Sequence, residues 1–126
     1  ALGFPAHSAA FELDLTALFA TLSGKPVQAK PISTFPPVKQ DLAFTVSTNV
    51  TAAELKQVIV EAAGDSLESI ELFDVYTGDQ LGEGEKSLAY AVTFRAPDKT
   101  LASEDSEAIR KRIVDEASKL GAQLRA

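Results

Sequence analysis

In the stretch ELFDVYTGDQLGEGEKSLAYAVTF, residues 71–94, three residues have the types and spacing to do chemistry: Asp74, Tyr76 and Ser87. The stretch reads as two strands joined by a long acidic turn, with Asp74 and Tyr76 ending the first strand and Ser87 opening the second. A tyrosine ring on a sheet surface is a stacking platform, worth about 1–3 kcal/mol per nucleobase. A carboxylate beside it accepts hydrogen bonds from base amino or imino groups, and so prefers a guanine or cytosine edge over a bare acceptor. A serine hydroxyl donates or accepts. The three together suit a pocket for one unpaired base. They suit equally an ordinary strand aromatic and a solvated acid at a strand end, and the residues alone do not separate these readings.

The rest of the chain offers little else that reacts. It has no cysteine, which excludes disulfides, thiolate metal sites and thiol catalysis. His7 has no second metal ligand at suitable spacing. Asp79, Glu83 and Glu85 lack the pattern of a calcium loop and read as a solvated acidic turn. GDQLGEG does not lead from a strand into a helix, so it is no nucleotide loop. No serine stands in a nucleophile elbow. The net charge of −6 argues against a protein that grips nucleic acid by charge alone, because phosphate binding rests on Lys and Arg. A domain that stacks a few unpaired bases remains open. The apolar fraction of 45% suits a folded domain, and no apolar run approaches a membrane span.

These candidate residues need elements to position them. Phe11, Leu13 and Leu15 alternate with Glu12 and Asp14, the period of a strand, and Thr16 is placed to cap a short helix ending near Gly24. Residues 25–41 carry four prolines without a period and read as an extended connector. A boundary within it divides a tail of a preceding catalytic-like module, or a flap, at 1–30 from a main domain at 31–126. In the main domain, LAFTVST (42–48) alternates as a strand. Thr51 and Glu54 have capping-box spacing, Leu55, Val58, Ile59 and Ala62 form a helical stripe, and Gly64 ends it. LESIELFDVY (67–76) and SLAYAVTFR (87–95) are strands. Ser103 caps a second helix with the stripe Ile109, Ile113, Ala117 and Leu120, and AQLR (122–125) is an edge strand. The order βαββαβ predicts an α+β ferredoxin-like sandwich: a four-stranded antiparallel sheet with two helices on one face, preceded by a short strand-helix tail.

Strand parity places Leu42, Phe44, Val46, Phe73, Val75, Leu88, Tyr90, Val92, Phe94 and Leu124 under the helices. It sends Ala43, Thr45, Asp74, Tyr76, Ser87, Ala89, Ala91, Thr93, Arg95 and Gln123 to the open face. Ile70 and Leu72 share the parity of Tyr76, a conflict that a bulge or a covering neighbour would resolve.

FPPVKQDLAFTV, ESIELFDVYTG, GEKSLAYAVTFRAPDKTL and a terminal helix ending in GAQLR, in this order, resemble the C-terminal anticodon-binding domain of the phenylalanyl-tRNA synthetase β subunit. The likeness runs from about Pro31 to the end, and FELDL with KPISTFPPVKQDLA resembles the family's run-in from its catalytic-like module. The resemblance implies a ferredoxin-like fold that binds the anticodon loop of tRNA for phenylalanine. The first anticodon base, guanine, would stack on Tyr76 and be hydrogen-bonded by Asp74 and Ser87, with Ala43 against another base. It implies a non-catalytic piece of an aminoacyl-tRNA synthetase with no cofactor of its own, ATP and magnesium belonging to the whole enzyme. The implied partners are that tRNA, the α subunit and the remaining β-subunit domains, with no membrane and no DNA, in the cytoplasm. Lys39, Lys86, Arg95 and Arg125 are candidate phosphate contacts, each equally readable as solvated surface charge. Arg110, Lys111 and Arg112 read as an exposed helix surface.

Two other functions share this topology. A small-molecule regulatory module that pairs through its sheet and binds an amino acid would use exposed Ile70 and Leu72. A phosphatase of the acylphosphatase type needs an arginine in a phosphate cradle after the first strand, where this chain has STNVTAA.

Overall fold

Ten consecutive residues, Val38–Ser47, form strand β1, at the centre of everything that follows. The structure, a computed structural model, describes residues 3, 5–22, 24 and 33–125. The chain divides into two units, Ala1–Pro31 and Ile32–Ala126.

In the first unit, residues 9–14 have no regular structure, so the strand expected at Phe11–Leu15 does not form. A lone extended segment leaves its backbone unpaired, and the unit holds no strand among the described residues to pair with it. Helix α1, Leu15–Ala20, is capped by Asp14 and not by Thr16: Asp14 Oδ1 accepts from the backbone N–H of Thr16 at 2.8 Å and of Ala17 at 3.3 Å. The apolar side chains are unburied, Phe11 being 94% exposed. The connector expected at 25–41 lies outside the described residues as far as residue 32, and its last four residues, 38–41, belong to strand β1 instead.

In the second unit the strands are β1, β2 (Leu67–Tyr76), β3 (Glu85–Phe94) and β4 (Gln123–Leu124), in the order β2-β3-β1-β4, all neighbours antiparallel. Helix α2, Ala52–Ala63, links β1 to β2, and helix α3, Ser103–Ser118, links β3 to β4. This is the ferredoxin-like βαββαβ arrangement. Leu42, Phe44 and Val46 of β1 and Leu88, Tyr90, Val92 and Phe94 of β3 are buried against Leu55 and Ile59 of α2 and Ile109 and Ile113 of α3. Every second residue of the two central strands therefore lies beneath the helices, and the residues between them form the other, uncovered face.

The start of α2 follows its sequence. Thr51 Oγ1 accepts from the Glu54 backbone N–H at 3.2 Å while Glu54 Oε2 accepts from the Thr51 N–H at 2.7 Å. The Thr51 N–H bond, and then the Thr51 hydroxyl donating to the same Glu54 Oε2 at 2.7 Å, hold the Glu54 carboxyl below the ordinary glutamate value. Gly64 ends the helix at φ 58°, a left-handed conformation that side chains disfavour. At α3 the cap is Ala102; Ser103 is the first helical residue. Asp105 takes over the role expected of Ser103, accepting from the Ala102 N–H at 3.1 Å and from Lys99 Nζ at 3.0 Å. The Lys99 bond, then the Ala102 bond, lowers the Asp105 carboxyl. Leu120, expected to extend the apolar stripe, lies beyond the helix end and is exposed; Leu101 and Ala122 are buried instead.

Strand β2 departs most from simple alternation. Against β3, Leu72 pairs with Tyr90 but Asp74 pairs with Ala89, so Phe73 is an extra residue opposite no partner. This β-bulge shifts the parity at mid-strand. Ile70, paired with Val92, and Leu72, paired with Tyr90, turn to the helix side, whereas Asp74 and Tyr76 turn to the open side. Ile70 packs on the core. A second extra residue, Glu68, separates Leu67 from Ser69. Phe73 itself leaves the helix side expected for it and is 55% exposed. Val75, opposite Leu88, keeps the expected side but lies on the edge strand and is exposed.

Tyr90 is the one large core residue with a polar end. Its hydroxyl donates to the Ala52 carbonyl at 2.7 Å, and burial raises its phenol above the ordinary value. Tyr90→Phe removes that bond while keeping the ring, and is expected to destabilise the domain by about 1 kcal/mol, measurable as a lower urea midpoint at unchanged slope. The two depressed carboxylates give a pH dependence. Their contribution is present above the ordinary carboxylate values and is lost as pH falls through the lowered ones. A variant with both Glu54→Gln and Asp105→Asn is expected to lose stability less steeply on acidification over that window, in melts recorded at successive pH values.

Candidate functional site

The open face is built from small and polar residues. Ala43 pairs with Ala89, Thr45 with Ser87 and Asp41 with Ala91 across β1 and β3. On the edge strand, Asp74 pairs with Ala89 and Tyr76 with Ser87. Direct cross-strand partners share a face, so the ring of Tyr76 and the hydroxyl of Ser87 are neighbours on the uncovered side. Beyond Tyr76 the chain enters the turn through Gly78, whose carbonyl accepts from the Leu81 N–H at 3.0 Å.

A shallow depression of about 450 Å³ lies here, within the range of small-ligand sites. Ala43, Asp74, Tyr76, Ser87 and Arg125 line it. Ala43 and Ala89 floor it with nothing larger than a methyl group, so a flat ring approaches the backbone closely. Ser87 is 5% exposed and Tyr76 38%; the hydroxyl is met only at the bottom, while the ring stands at the wall. Arg125 is brought in by β4, where its backbone N–H donates to the Ala43 carbonyl at 2.8 Å.

Alternation failed to find Phe73, which lines the same depression. The signal that points to it is the parity conflict of Ile70 and Leu72 with Tyr76, because the extra residue of a bulge there must leave the helix side. Asp41 and Gln80 also line the site. Gln80 comes from the turn, where no period exists to place it. A second depression of about 480 Å³ continues along the face, lined by Lys39, Asp41, Ser69, Glu71 and Thr93 among others.

The four cations expected near phosphate separate into two pairs. Lys39 and Arg125 are exposed on the open face. Lys86 pairs with Val46, on the helix side, and its ammonium donates to the Thr48 carbonyl at 3.0 Å. Arg95 follows the last residue of β3 and is 22% exposed in its side chain. Its Nη1 donates to the carbonyls of Ser33 at 3.0 Å and Phe35 at 2.7 Å. Its Nε faces Glu68 Oε1 at 3.0 Å, an ion pair outside hydrogen-bond alignment. Arg95 is thus a clamp on the run-in to β1. The depression contains no histidine and no cysteine, and among the described residues no group of three or more His, Cys, Asp or Glu is placed to hold a metal ion.

The class defined by this arrangement is a ferredoxin-like α+β domain with two partly exposed aromatic rings and several polar side chains on its uncovered sheet. Residues 33–125 match the family model of the ferredoxin-fold anticodon binding domain, and the chain belongs to that family. It is 78% identical over 126 residues to the phenylalanine–tRNA ligase beta subunit of Bifidobacterium longum (strain NCC 2705), which covers 100% of this chain and 14% of the relative. It is 45% identical over 126 residues to the subunit of that name from Thermobifida fusca (strain YX), with 99% and 15% covered. For the Mycobacterium leprae (strain TN) subunit the identity is 47% over 124 residues, with 98% and 14% covered. The chain spans 14–15% of the length of these curated relatives.

The two arginines are expected to differ in what they support. Arg95→Ala leaves the 33–35 carbonyls and Glu68 without their cation and is expected to cost about 1.5 kcal/mol, allowing for partial exposure, or roughly 5–10 °C in melting temperature. Arg125→Ala, whose side chain has no such bonds among the described residues, is expected to leave the melting temperature within about 1 °C, both read by thermal denaturation.

Proposed function

We propose that the open face binds the anticodon loop of tRNA for phenylalanine, as part of the β subunit of a phenylalanine–tRNA ligase. The observation that carries this reading is the convergence of Asp74, Tyr76 and Ser87 on one depression of a domain in an anticodon-binding family. The names of the relatives point to the same enzyme. The first anticodon base, guanine, stacks on Tyr76. Its amino and imino N–H groups donate to the Asp74 carboxylate, and Ser87 meets it at the floor. Phe73 offers a second ring beside the first, and Ala43 leaves room for a neighbouring base. Lys39 and Arg125 contact loop phosphates, while Lys86 and Arg95 serve the fold.

In this reading the domain performs no chemistry. Activation of phenylalanine with ATP and magnesium, and its transfer to tRNA, take place on other domains and on the α subunit, in the cytoplasm. The partners are the tRNA, the α subunit and the rest of the β chain. The exposed apolar side chains of residues 11–22 fit a segment that belongs with a preceding module, which leaves the domain proper to begin near residue 31. The amino-acid-binding alternative loses the surface it relied on, because Ile70 and Leu72 face the helix side.

Binding rests on stacking and hydrogen bonds more than on charge, so salt dependence is expected to be shallow. With two phosphate contacts the slope of log affinity against log salt is about −1.4, and Arg125→Ala lowers it by about 0.7. In the whole ligase, Tyr76→Ala and Asp74→Ala are each expected to raise the KM for tRNA about 5- to 150-fold with phenylalanine adenylation unchanged. Unaltered tRNA kinetics in both variants would defeat this reading. Chemical-shift mapping with a phenylalanine anticodon stem-loop, against one altered in its first anticodon base, tests the base preference directly.

A further inference from the structure

The Tyr76 ring is held by a residue that has no side chain. A Cβ built on Gly78 would fall on the phenolic oxygen and Cζ of Tyr76 and lie 3.0 Å from Cε2. The hydroxyl end of the ring therefore occupies the space that any side chain at 78 needs. The backbone gives no other reason for glycine here. Gly78 is absent from the five glycines with positive φ, namely Gly3, Gly24, Gly64, Gly84 and Gly121. Its φ lies outside the left-handed region that favours glycine. We propose that Gly78 is a positioning residue, the seat that fixes the Tyr76 ring at the wall of the depression.

At residue 78 the outcome depends on which group gives way. The turn at 78 is pinned by the Leu81 N–H bond to the Gly78 carbonyl and leads into Gln80, which itself lines the site. The ring, by contrast, is a partly exposed side chain at the end of an edge strand, and a clash at 78 can turn it out by rotation about χ1 and χ2. A methyl group at 78 displaces the ring before it displaces the turn. An exposed aromatic without such a seat samples several rotamers and must be ordered at each binding event. The seat removes that cost by holding one rotamer in advance. The structural half of the proposal stands on the contact alone; its consequence for tRNA rests on the anticodon reading.

The test uses the 126-residue chain and Gly78→Ala. In the wild type, nuclear Overhauser contacts between the Tyr76 ring and the Gly78 α protons are expected, with an upfield ring-current shift of those protons. Their absence overturns the seat without any variant. In Gly78→Ala the Tyr76 ring resonances are expected to move while those of buried Tyr90 stay, at an unchanged far-ultraviolet circular dichroism spectrum. Unmoved Tyr76 signals overturn the proposal.

For binding of the phenylalanine anticodon stem-loop, Gly78→Ala is expected to weaken affinity toward the loss seen for Tyr76→Ala, about 5- to 150-fold. It should add nothing further when Tyr76→Ala is already present. Independent, additive losses overturn the proposal. If Tyr76→Ala itself leaves binding intact, the anticodon reading fails, and the ring resonances still decide whether Gly78 is the seat.

Discussion

The open face depends on one unpaired residue in an edge strand. Ile70 packs on the core and Leu72 shares its side, Asp74 and Tyr76 line the open side, and all four occupy positions of one parity. A regular strand satisfies only one pair. The extra residue at Phe73 turns the second half of β2 over relative to the first, at the cost of one unpaired position in the ladder. The same step ejects Phe73 from the helix side and delivers its ring to the depression. Core packing and site construction are thus linked through a single backbone irregularity.

The second constraint is one-sided coverage. Both helices lie on the face that carries Leu42, Phe44, Val46, Tyr90, Val92 and Phe94, so those residues are buried, while the alternate ones apart from Ser87 and Ala89 keep part of their surface in water. A sheet face floored by alanines lets a planar group approach the backbone, and rings at its edge supply dispersion that does not depend on salt. In a chain of net charge −6 this matters, because long-range attraction for phosphate is weak. The cations are divided accordingly: Arg95 and Lys86 bond to backbone carbonyls of the fold, and Lys39 and Arg125 remain on the face. On the proposed anticodon reading the seating of Tyr76 on Gly78 extends the same logic, since a surface that binds by stacking gains from holding its ring in place beforehand.

Much of this architecture is legible locally. The capping box of Thr51 and Glu54, the glycine stop at residue 64, the stripe of Ile109, Ile113 and Ala117, and the alternation of β1 and β3 are short-range patterns, and each element forms where its pattern lies. The misses share a cause. The segment at residues 11–15 has the period of a strand but no partner strand in its own unit, and an unpaired strand has no ladder. Asp105 caps α3 in place of Ser103 because its carboxylate, set by Lys99, reaches the Ala102 N–H. Phe73 and Arg95 follow alternation on paper, yet a bulge moves the one and a set of carbonyls from the chain's run-in draws the other.

Within residues 33–125 the sequence by itself determined the order of helices and strands, and hence the ferredoxin-like layering, because those follow from periodicity, caps and glycines acting over a few residues. It also determined that Tyr76 and Ser87 are available for one face, since both lie at a strand end beside the same turn. Only the tertiary structure decided that they are direct partners, that Asp74 joins them while Leu72 does not, and that Gly78 must yield its side-chain space to a ring. Those facts depend on register between strands and on contacts across a turn, where a shift of one residue exchanges the two faces of a sheet.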